Sequence, residues 1–334
     1  MRARLRALAA GVVLTAAATT AMWYTAFGPA GDLEPHTFNQ DRNAVWLAHR
    51  WLERDHPDEE METLLSDLSR RGVLYVFPHL IPFNGAGRLP VHSREQMRRF
   101  IETARRVAPA MRVLPWVGGL RAGYRRTRVG TLDLADLGQR QRIVAECRGL
   151  VDEGFDGIHL NIEPVDNGNV GFLALVRALK TAVGPDRILS LSATRVGPTP
   201  LPFAPNFLWT PDYLVRVASA ADQVVLMTYD TGLPTPVLYR RYLAYAASSA
   251  TKALLASRSR ARVLVGVPTY DGTGLMHRAD VENLSQAVPG VVAGLRGLGG
   301  AGAFEGIAIY AEWTTDAREW ELYETLWRGR PKRD

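Results

Sequence analysis

The chain has 334 residues, of which 47% are hydrophobic and 22% charged, an ordinary globular composition with room for a large core in one or two domains. The formal net charge of +6 lies at the two ends, because residues 1–6 and 328–334 each carry a net charge of +3. The body is therefore neutral and predicts no nucleic-acid partner. Cys147 is the only cysteine, which excludes an intrachain disulfide, and its helical surroundings predict a buried thiol.

The amino-terminal segment predicts export. Three arginines precede an apolar stretch at residues 7–27, a pattern typical of a signal peptide. The stretch is also nearly long enough to cross a bilayer, so cleavage and membrane anchoring both remain open. Residues 1–27 are therefore predicted to be a signal peptide or membrane anchor, and residues 28–40 a linker. Because positive charge keeps its own end cytoplasmic, we expect a body that is secreted, periplasmic or anchored to the outer face of the cytoplasmic membrane.

After the linker, apolar strand-like runs alternate with helical patterns that have one apolar face. The predicted strands lie at 44–48, 73–77, 112–117, 156–163, 188–193, 223–228, 262–267 and 306–310. The predicted helices lie at 59–71, 94–107 with Ser93 as N-cap, 137–153, 170–183, 211–220, 236–257, 281–298 and 316–327. A strand–helix unit repeated in this way predicts an α/β fold, a single-domain (β/α)₈ TIM barrel at residues 41–328, with a basic tail at 329–334. A doubly wound sheet is less favoured, because no glycine-rich dinucleotide motif follows the first strand.

The fourth predicted strand combines an apolar face with a polar one. It reads Asp-Gly-Ile-His-Leu-Asn-Ile-Glu from residue 156 to residue 163. Alternate side chains of a strand point to the same side, so His159, Asn161 and Glu163 share one face. Pro164 ends the strand because it has no N–H to donate. We therefore expect Glu163 at the carboxyl end of a buried strand, where barrel enzymes hold their working groups.

The residues that end the predicted strands are rich in aromatic rings and carboxylates. They are His49, Arg50, His79, Trp116, Asn161, Glu163, Thr194, Arg195, Tyr229, Asp230, Tyr270, Asp271, Tyr310, Glu312 and Trp313. Aromatic faces stack on sugar rings, while carboxylates and amides bind sugar hydroxyls, so this set predicts a carbohydrate cleft. The set contains no metal-ligand motif and no phosphate-binding loop, so we expect no metal and no cofactor.

Three of these positions resemble motifs of the glycoside hydrolase family 18 chitinases. Residues 156–163 resemble the fourth-strand signature Asp-Gly-x-Asp-x-Asp-x-Glu. Residues 227–230, Met-Thr-Tyr-Asp, resemble the sixth-strand motif Met-x-Tyr-Asp. Trp313 falls just past the eighth strand, where the family has a tryptophan at the floor of its cleft. The likeness follows the predicted barrel in order from about residue 40 to residue 328.

The resemblance implies a hydrolase that cuts a glycan containing N-acetylhexosamine. In the family the glutamate is the general acid and then the base, and the acetamido oxygen of the substrate attacks the anomeric carbon, unlike the usual scheme with two carboxylates. Carried over, Glu163 would be the acid and base, Asn161 would orient the acetamido group, and Tyr229 would donate its hydroxyl to the acetamido carbonyl. These three are the predicted catalytic residues. The predicted substrate-binding residues are Asp230, Trp313, Trp116, Tyr310, His49 and His159.

The chain departs from the family signature at two acids. His159 stands at the second aspartate and Asn161 at the third. An asparagine before the glutamate also resembles the endo-N-acetylglucosaminidases of family 85, which use an Asn–Glu pair. The amide of Asn161 can hold an acetamido group, but it lacks the charge that stabilises a developing oxazolinium, a contribution of about a few kcal/mol. His159 lies deeper in the barrel, where a hydrogen-bonded core histidine is the favoured alternative to a catalytic role.

Two other functions remain open. A sugar-binding barrel without turnover would explain the two replaced acids, although a lectin has no need of Glu163. A retaining glycosidase with two carboxylates would need a nucleophile on the seventh strand, where the chain has Asp271. In each case the expected partner is an oligo- or polysaccharide and the expected state a monomer. The sequence does not specify the glycan.

Two loops bear on how the cleft is used. Arg121, Arg125, Arg126 and Arg128 follow the third strand, either as a solvated loop or as a contact for an acidic substrate. The stretch between the seventh and eighth strands holds about forty residues and one helix. Chitinases that grip one chain in a deep groove often carry an inserted domain there. The resemblance therefore implies a more open cleft and endo-type cutting.

Overall fold

The computed structural model describes residues 38–121, 130–199, 204, 207–296, 298 and 302–330. The predicted signal or anchor segment, nearly all of the predicted linker, three of the four clustered arginines and residues 331–334 of the tail lie outside these ranges. Within the described ranges no helix combines the length and apolarity that crossing a membrane requires.

The described chain folds around one curled sheet of parallel strands. The strands are β1 (Asn43–Leu47), β2 (Val73–Pro78), β3 (Arg112–Val113), β4 (Trp116–Leu120), β5 (Gly157–Glu163), β6 (Ile188–Ala193), β7 (Gln223–Leu226), β8 (Arg262–Pro268) and β9 (Phe304–Tyr310). Their order is β3-β2-β1-β9-β8-β7-β6-β5-β4. Almost every apolar strand residue is buried, as expected when helices cover one face of a parallel sheet and side chains fill the other.

The third predicted strand is observed as two segments, β3 and β4. Pro115 lies between them, and it has no N–H with which to continue the ladder to β2. Pairing resumes at once, because His79 forms a parallel bridge with Trp116 and the amide of Leu80 donates to the Trp116 carbonyl at 2.9 Å. The chain therefore pairs with β3 along β2 and with the start of β4 directly after β2, and the curled sheet is consistent with the predicted (β/α)₈ barrel.

Helices follow the strands along the chain. They are α1 (Arg50–Glu53), α2 (Asp58–Arg70), α3 (Arg94–Val107), α4 (Leu137–Asp152), α5 (Val170–Val183), α6 (Pro211–Ala218), α7 (Pro236–Ala256), α8 (Leu284–Arg296) and α9 (Ala317–Leu322). The short α1 was not predicted. The Ser93 hydroxyl accepts from the Gln96 amide at 3.2 Å, so the predicted N-cap of α3 is confirmed. The last predicted helix instead changes into a π-helical turn, Tyr323–Trp327, which seats the Trp327 indole against Asn43 at 2.7 Å.

Two apolar layers lie on opposite sides of the strands. The larger packs the outward strand faces against the helices and includes Cys147, a free and fully buried thiol as predicted. Burial raises the pKa of that thiol, so it stays protonated. The smaller layer fills the space inside the curl with large rings, among them Trp46, Tyr75 and Phe77. These rings form the base on which the carboxyl-end residues sit.

Candidate active site

The alternation of β5 sorts its side chains as the sequence predicts. Ile158, Leu160 and Ile162 are buried against the helices, while Asn161 and Glu163 are partly exposed at the carboxyl end. Pro164 follows directly and ends the strand. Because β5 lies inside the sheet, between β4 and β6, its ladder fixes the height at which these two groups emerge.

A cavity of about 410 Å³ opens at this end of the strands. It is lined by Trp46, Trp116, Asn161, Glu163, Met227, Tyr229, Asp230, Tyr270, Tyr310, Trp313 and Thr314. Seven of the nine predicted site residues are in this set, and the exceptions are His49 and His159. The lining brings a carboxyl, an amide and several phenols around one space of a size that suits a small ligand.

Asn161 and Glu163 form a direct pair in the cavity wall. The amide nitrogen Nδ2 of Asn161 donates to Oε2 of Glu163 at 3.1 Å. The other end of the amide, Oδ1, is buried and has no hydrogen-bond partner among the described residues. A buried acceptor without a donor is costly and uncommon in folded proteins. The amide therefore presents an unused acceptor beside the carboxyl, ready for an N–H group of a ligand.

The environment of Glu163 favours its neutral form. Burial is the largest influence and raises the pKa of the carboxyl above its ordinary value of 4.5, and the nearby charge of Asp230 raises it further. The hydrogen bond from Asn161 and the positive charge of Arg195 act in the opposite direction but do not cancel the effect of burial. A carboxyl with a raised pKa holds its proton closer to neutral pH, which a general acid requires.

The raised pKa predicts a pH-dependent effect on stability. Between its unfolded and folded pKa values Glu163 binds a proton more tightly in the folded state, so stability falls as the pH rises through that window. The Glu163→Gln variant cannot ionise and avoids this loss. We expect its Tm to match the wild type at about pH 4 and to exceed it at about pH 8. Calorimetry at both pH values checks this, with the exposed Glu102→Gln as control. If the difference in Tm between Glu163→Gln and the wild type were the same at both pH values, the prediction would be wrong.

Aromatic rings form the wall opposite β5. Tyr229 and Tyr310 stack with ring centroids 4.9 Å apart, and Trp313 contacts Tyr310 edge-on at 5.7 Å. Trp313 is 45% exposed, so its face is open at the mouth of the cavity. Burial raises the pKa of Tyr229 well above 10, and that of Tyr310 to about 12. Both hydroxyls therefore stay protonated and can donate hydrogen bonds.

Asp230 sits on a strained turn directly after Tyr229. Its backbone has φ of +53°, in the left-handed region that aspartate adopts uncommonly. Its Oδ1 accepts from the Tyr270 hydroxyl at 2.6 Å. Its carbonyl accepts from Nη1 of Arg195 at 2.9 Å, and that guanidinium also reaches the Tyr229 carbonyl at 3.2 Å. An arginine that follows β6 and a tyrosine that follows β8 thus hold the turn in place.

His159 does not contact the cavity, which corrects its prediction as a substrate-binding residue. It is fully buried, and its ring stacks on Phe77 at a centroid distance of 3.9 Å. The Trp46 indole N–H donates to its Nε2 at 3.1 Å, so the proton lies on Nδ1, which faces the Ser190 hydroxyl at 2.9 Å. Burial lowers its pKa to about 3 and keeps the ring neutral. The alternative role, a hydrogen-bonded core histidine, is the observed one.

His49 lies at the rim beyond the cavity, so it too differs from its prediction. It follows β1, its side chain is 54% exposed, and its closest charged neighbour is Glu53 at 3.9 Å. It contributes to neither cavity near Glu163. The chain turns into α1 directly after His49, and that turn carries the imidazole outward.

A second cavity of about 200 Å³ borders Glu163 on the side of β2 and β4. Its lining comprises His79, Pro82, Phe83, Trp116, Gly118, Gly119, Leu120, Gly130, Asn161 and Glu163. The two cavities share Trp116, Asn161 and Glu163, so the carboxyl stands between two spaces. His79 stacks on Trp116 at 4.0 Å, and burial lowers its pKa to about 4, so a neutral imidazole faces the smaller space.

Of the four clustered arginines, the structure describes Arg121. Its backbone amide donates to the Glu163 carbonyl at 2.8 Å. Its guanidinium donates to the Pro164 carbonyl at 2.7 Å and pairs with Asp166 at 2.9 Å. Arg121 therefore fixes the segment that leaves β5. A contact with an acidic substrate stays a prediction for the other three, which lie outside the described residues.

Among the residues with a described position, one group of side chains has the composition of a metal site. Potential ligand atoms of Asp230, His277 and Glu282 lie within 4.8 Å of one another. Each Glu282 oxygen, however, already accepts from the turn after β7: Oε2 from the Asp230 amide at 2.7 Å and Oε1 from the Thr231 amide at 2.9 Å. A cation would have to displace donors that the backbone needs. We therefore assign the group to hydrogen bonding.

Four lining residues were not among the predicted site residues: Trp46, Met227, Tyr270 and Thr314. The sequence did give a signal for two of them, because Tyr270 stands at a predicted strand end and Met227 belongs to the Met-Thr-Tyr-Asp motif. Trp46 gave a weaker signal, because the run Ala-Val-Trp-Leu-Ala is apolar on both faces and does not show which side points inward. Glu282 was missed altogether, because it lies in a loop with no motif around it.

The sequence and the fold were compared with known proteins. Residues 71–328 match the family model described as "Glycosyl hydrolases family 18". The fold is similar to the Bacillus cereus spore cortex-lytic enzyme SleL, with a TM-score of 0.59 and 11% identity over 87% of this chain and 75% of that one. It is also similar to a chitinase from Chromobacterium violaceum, with a TM-score of 0.57 and 15% identity over 87% of this chain and 99% of that one.

A family 18 N-acetylglucosaminidase from Paenibacillus barengoltzii is similar as well, with a TM-score of 0.51 and 14% identity over 86% of this chain and 99% of that one. At such identities the solved structures show a shared fold. No curated protein sequence matches the chain. The family match, by contrast, covers more than half of the chain and includes β5, the turn after β7 and Trp313. The chain therefore belongs to glycoside hydrolase family 18, and it is a glycoside hydrolase.

Proposed function

We propose that the protein cuts a glycan containing N-acetylhexosamine, and that the acetamido group of the substrate serves as the nucleophile. The observation that carries the proposal is the buried Oδ1 of Asn161, which no described residue pairs and which lies next to an amide nitrogen bonded to Glu163. An acetamido N–H would satisfy this oxygen and turn the acetamido carbonyl toward the anomeric carbon. A site with a buried polar group of this kind discriminates strongly against ligands that lack the partner.

The other lining residues fit the same reaction. Glu163, whose pKa is raised by burial, would protonate the glycosidic oxygen and then, as carboxylate, take a proton from the water that opens the oxazolinium. The Tyr229 hydroxyl, which accepts and donates no hydrogen bond among the described residues, would donate to the acetamido carbonyl. Tyr310 and the open face of Trp313 offer surfaces for the sugar ring, and Asp230 a hydroxyl contact.

The two cavities support a division of the substrate around Glu163. The larger one, with Tyr229 and Asp230, would take the sugar whose acetamido group reacts. The smaller one, with His79 and Phe83, would take part of the leaving group. Glu163 lies between them, as a group that protonates the connecting oxygen must. The Asn–Glu pair is reminiscent of family 85, and that likeness stays part of the proposal.

A two-carboxylate reaction has less support. Asp271, its predicted nucleophile, is not among the residues that line either cavity, whereas its neighbour Tyr270 is. Asp230 is the second carboxylate of the larger cavity, and its Oδ1 is engaged by the Tyr270 hydroxyl at 2.6 Å.

The location of the protein is proposed from its amino-terminal segment alone. Residues 1–27 would direct export, either as a cleaved signal or as an anchor on the outer face of the cytoplasmic membrane. Their structure lies outside the described residues. An exported enzyme of this kind would meet extracellular or cell-wall polysaccharides.

A panel of polymers tests the proposed reaction. Purified protein is incubated with chitin, peptidoglycan and deacetylated glucosamine polymer, and the products are read by mass spectrometry. We expect cleavage of at least one acetylated polymer and none of the deacetylated one, because only an acetamido group supplies the nucleophile. A thiazoline that mimics the cyclised intermediate should inhibit the reaction. Cleavage of the deacetylated polymer, or indifference to the thiazoline, would favour a two-carboxylate enzyme. No cleavage of any polymer by wild type would favour a sugar-binding protein.

A further inference from the structure

The turn that carries Asp230 is held from the loop between β8 and α8. The Asp230 amide donates to Oε2 of Glu282 at 2.7 Å. The next residue, Thr231, donates its amide to Oε1 of Glu282 at 2.9 Å, and its hydroxyl donates to the same oxygen. One carboxylate therefore ties down two consecutive residues of the turn. Asp230 keeps its left-handed backbone, with φ of +53°, under this restraint.

Glu282 itself is withdrawn from the cavity. It is 1% exposed and is not among the lining residues, so it cannot touch a ligand in either space. Together with His277, four donors occupy its two oxygens. A buried carboxylate is tolerated only when it is paired and fully hydrogen-bonded, and Glu282 meets both conditions. Whatever it contributes to sugar binding must therefore act through the residues that it holds in place.

His277 is the side-chain partner of Glu282. Its Nδ1 faces Oε2 of Glu282 at 3.1 Å, and its Nε2 faces the Tyr270 carbonyl at 3.1 Å. The ring is therefore held between the Glu282 carboxylate and the backbone that follows β8. The ring also stacks on Tyr270 at 4.0 Å and lies 3.6 Å from Oδ1 of Asp230. His277 thus joins Glu282 to both residues that face the sugar.

We propose that Glu282, hydrogen-bonded to His277, is a positioning residue that sets Asp230 and Tyr270 at the sugar-binding edge of the larger cavity. The inference rests on the proposed function, because it assigns sugar binding to Asp230. Asp230 and Tyr270 line the cavity, while Glu282 and His277 lie behind them. The sequence places Glu282 52 residues after Asp230, so closure of the strands brings the two together.

A double-mutant cycle tests whether Glu282 acts through Asp230. Glu282→Gln keeps the shape of the side chain but replaces one acceptor oxygen with a donor that repels the turn amides. We expect this variant to raise KM about tenfold with kcat changed less than about threefold. Asp230→Ala should lose binding as well, and adding Glu282→Gln to it should cost no more than about twofold further. If the effects of the two single substitutions on KM multiplied in the double variant, Glu282 and Asp230 would act independently and the proposal would be wrong.

Glu305→Gln is the matched control for removing a buried carboxylate. Glu305 is 2% exposed, accepts from Tyr75 and Gln223, and lines neither cavity. The control should lower Tm while leaving KM within about twofold of wild type. If Glu305→Gln and Glu282→Gln raise KM equally, the effect is general destabilisation and the proposal is wrong.

A readout that needs no substrate separates this inference from the proposed function. Amide NMR compares the turn in the wild type and in Glu282→Gln. Glu282→Gln should shift the Asp230 and Thr231 amide resonances and speed their hydrogen exchange, because both amides donate to the Glu282 carboxylate, while Glu305→Gln should leave them unchanged. Unmoved Asp230 and Thr231 amides would overturn the proposal whether or not a glycan is cut. A protein that shows these NMR effects but binds no sugar would instead contradict the proposed function.

Discussion

Replacing Glu163 with glutamine is expected to reduce hydrolysis of an N-acetylglucosamine oligomer by a factor of about 10³ or more, while the oligomer still binds with nearly the wild-type Kd. The amide keeps the size of the side chain and a contact with Asn161, so the cavity retains its shape. It cannot give a proton to the departing oxygen. Initial rates measure the loss of hydrolysis, and calorimetric titration of the same preparation measures the Kd.

The leaving group makes this experiment more specific. A dinitrophenyl glycoside departs without protonation, so Glu163→Gln should lose far less activity on it, about tenfold. Glu312→Gln is the control, because Glu312 accepts from Trp51 and pairs with Arg50 at the rim without lining either cavity. It should keep its activity within about threefold. If Glu163→Gln retained a tenth of wild-type activity on the oligomer, Glu163 would not be the general acid.

Gly118→Ala is expected to have the largest effect on the fold. Gly118 lies in β4 opposite Asn161 of β5, and an added Cβ would fall 1.7 Å from the Asn161 carbonyl oxygen. Backbone atoms of a paired strand cannot rotate away, so β4 must separate from β5. We expect a loss of about 3–5 kcal/mol, in the range that marks severe overpacking. For a protein of this size this is a fall in Tm of roughly 6–10 °C.

Gly118→Ala should also impair catalysis. The register that sets Gly118 against Asn161 also sets Leu120 against Glu163, so separating the strands moves both members of the pair. Gly149→Ala is the control, because its Cβ meets nothing within 4 Å in α4. There alanine should stabilise by about 0.5–1 kcal/mol, the difference in helix propensity. Thermal melts of the two variants test the prediction. If Gly118→Ala kept the wild-type Tm, β4 and β5 would lie farther apart than the structure shows.

The two variants probe different properties of one motif. Glu163→Gln removes a proton donor from a site whose shape is kept, and Gly118→Ala changes the shape of a site whose proton donor is kept. A glycosidase needs both, because a general acid contributes only when it lies within hydrogen-bond distance of the oxygen it protonates. The close contact of β4 with β5 is therefore part of how Glu163 is presented.

The order and type of the main elements followed from the sequence. The helix Arg94–Val107, the helix Val170–Val183 and the strand Ile188–Ala193 have the bounds predicted for them. Local signals decide such elements: apolar residues recur with the period of a helix or a strand, and caps and prolines mark the ends. The third strand was predicted as continuous from its apolar pattern. That pattern does not show that Pro115 lacks the N–H that pairing with β2 requires.

The candidate site also combines features that the local sequence predicts with features that only the fold determines. The period of two along β5 determined that Asn161 and Glu163 share a face, and the sequence alone determined it because strand geometry fixes alternation over so short a distance. Only the tertiary structure decided that His159 on the same face is sealed under Trp46, that Glu282 braces Asp230, and that Oδ1 of Asn161 has no partner in the part of the chain that the structure describes. These relations depend on how far the strands are staggered when the sheet curls, which brings together residues 52 to 113 positions apart in the chain.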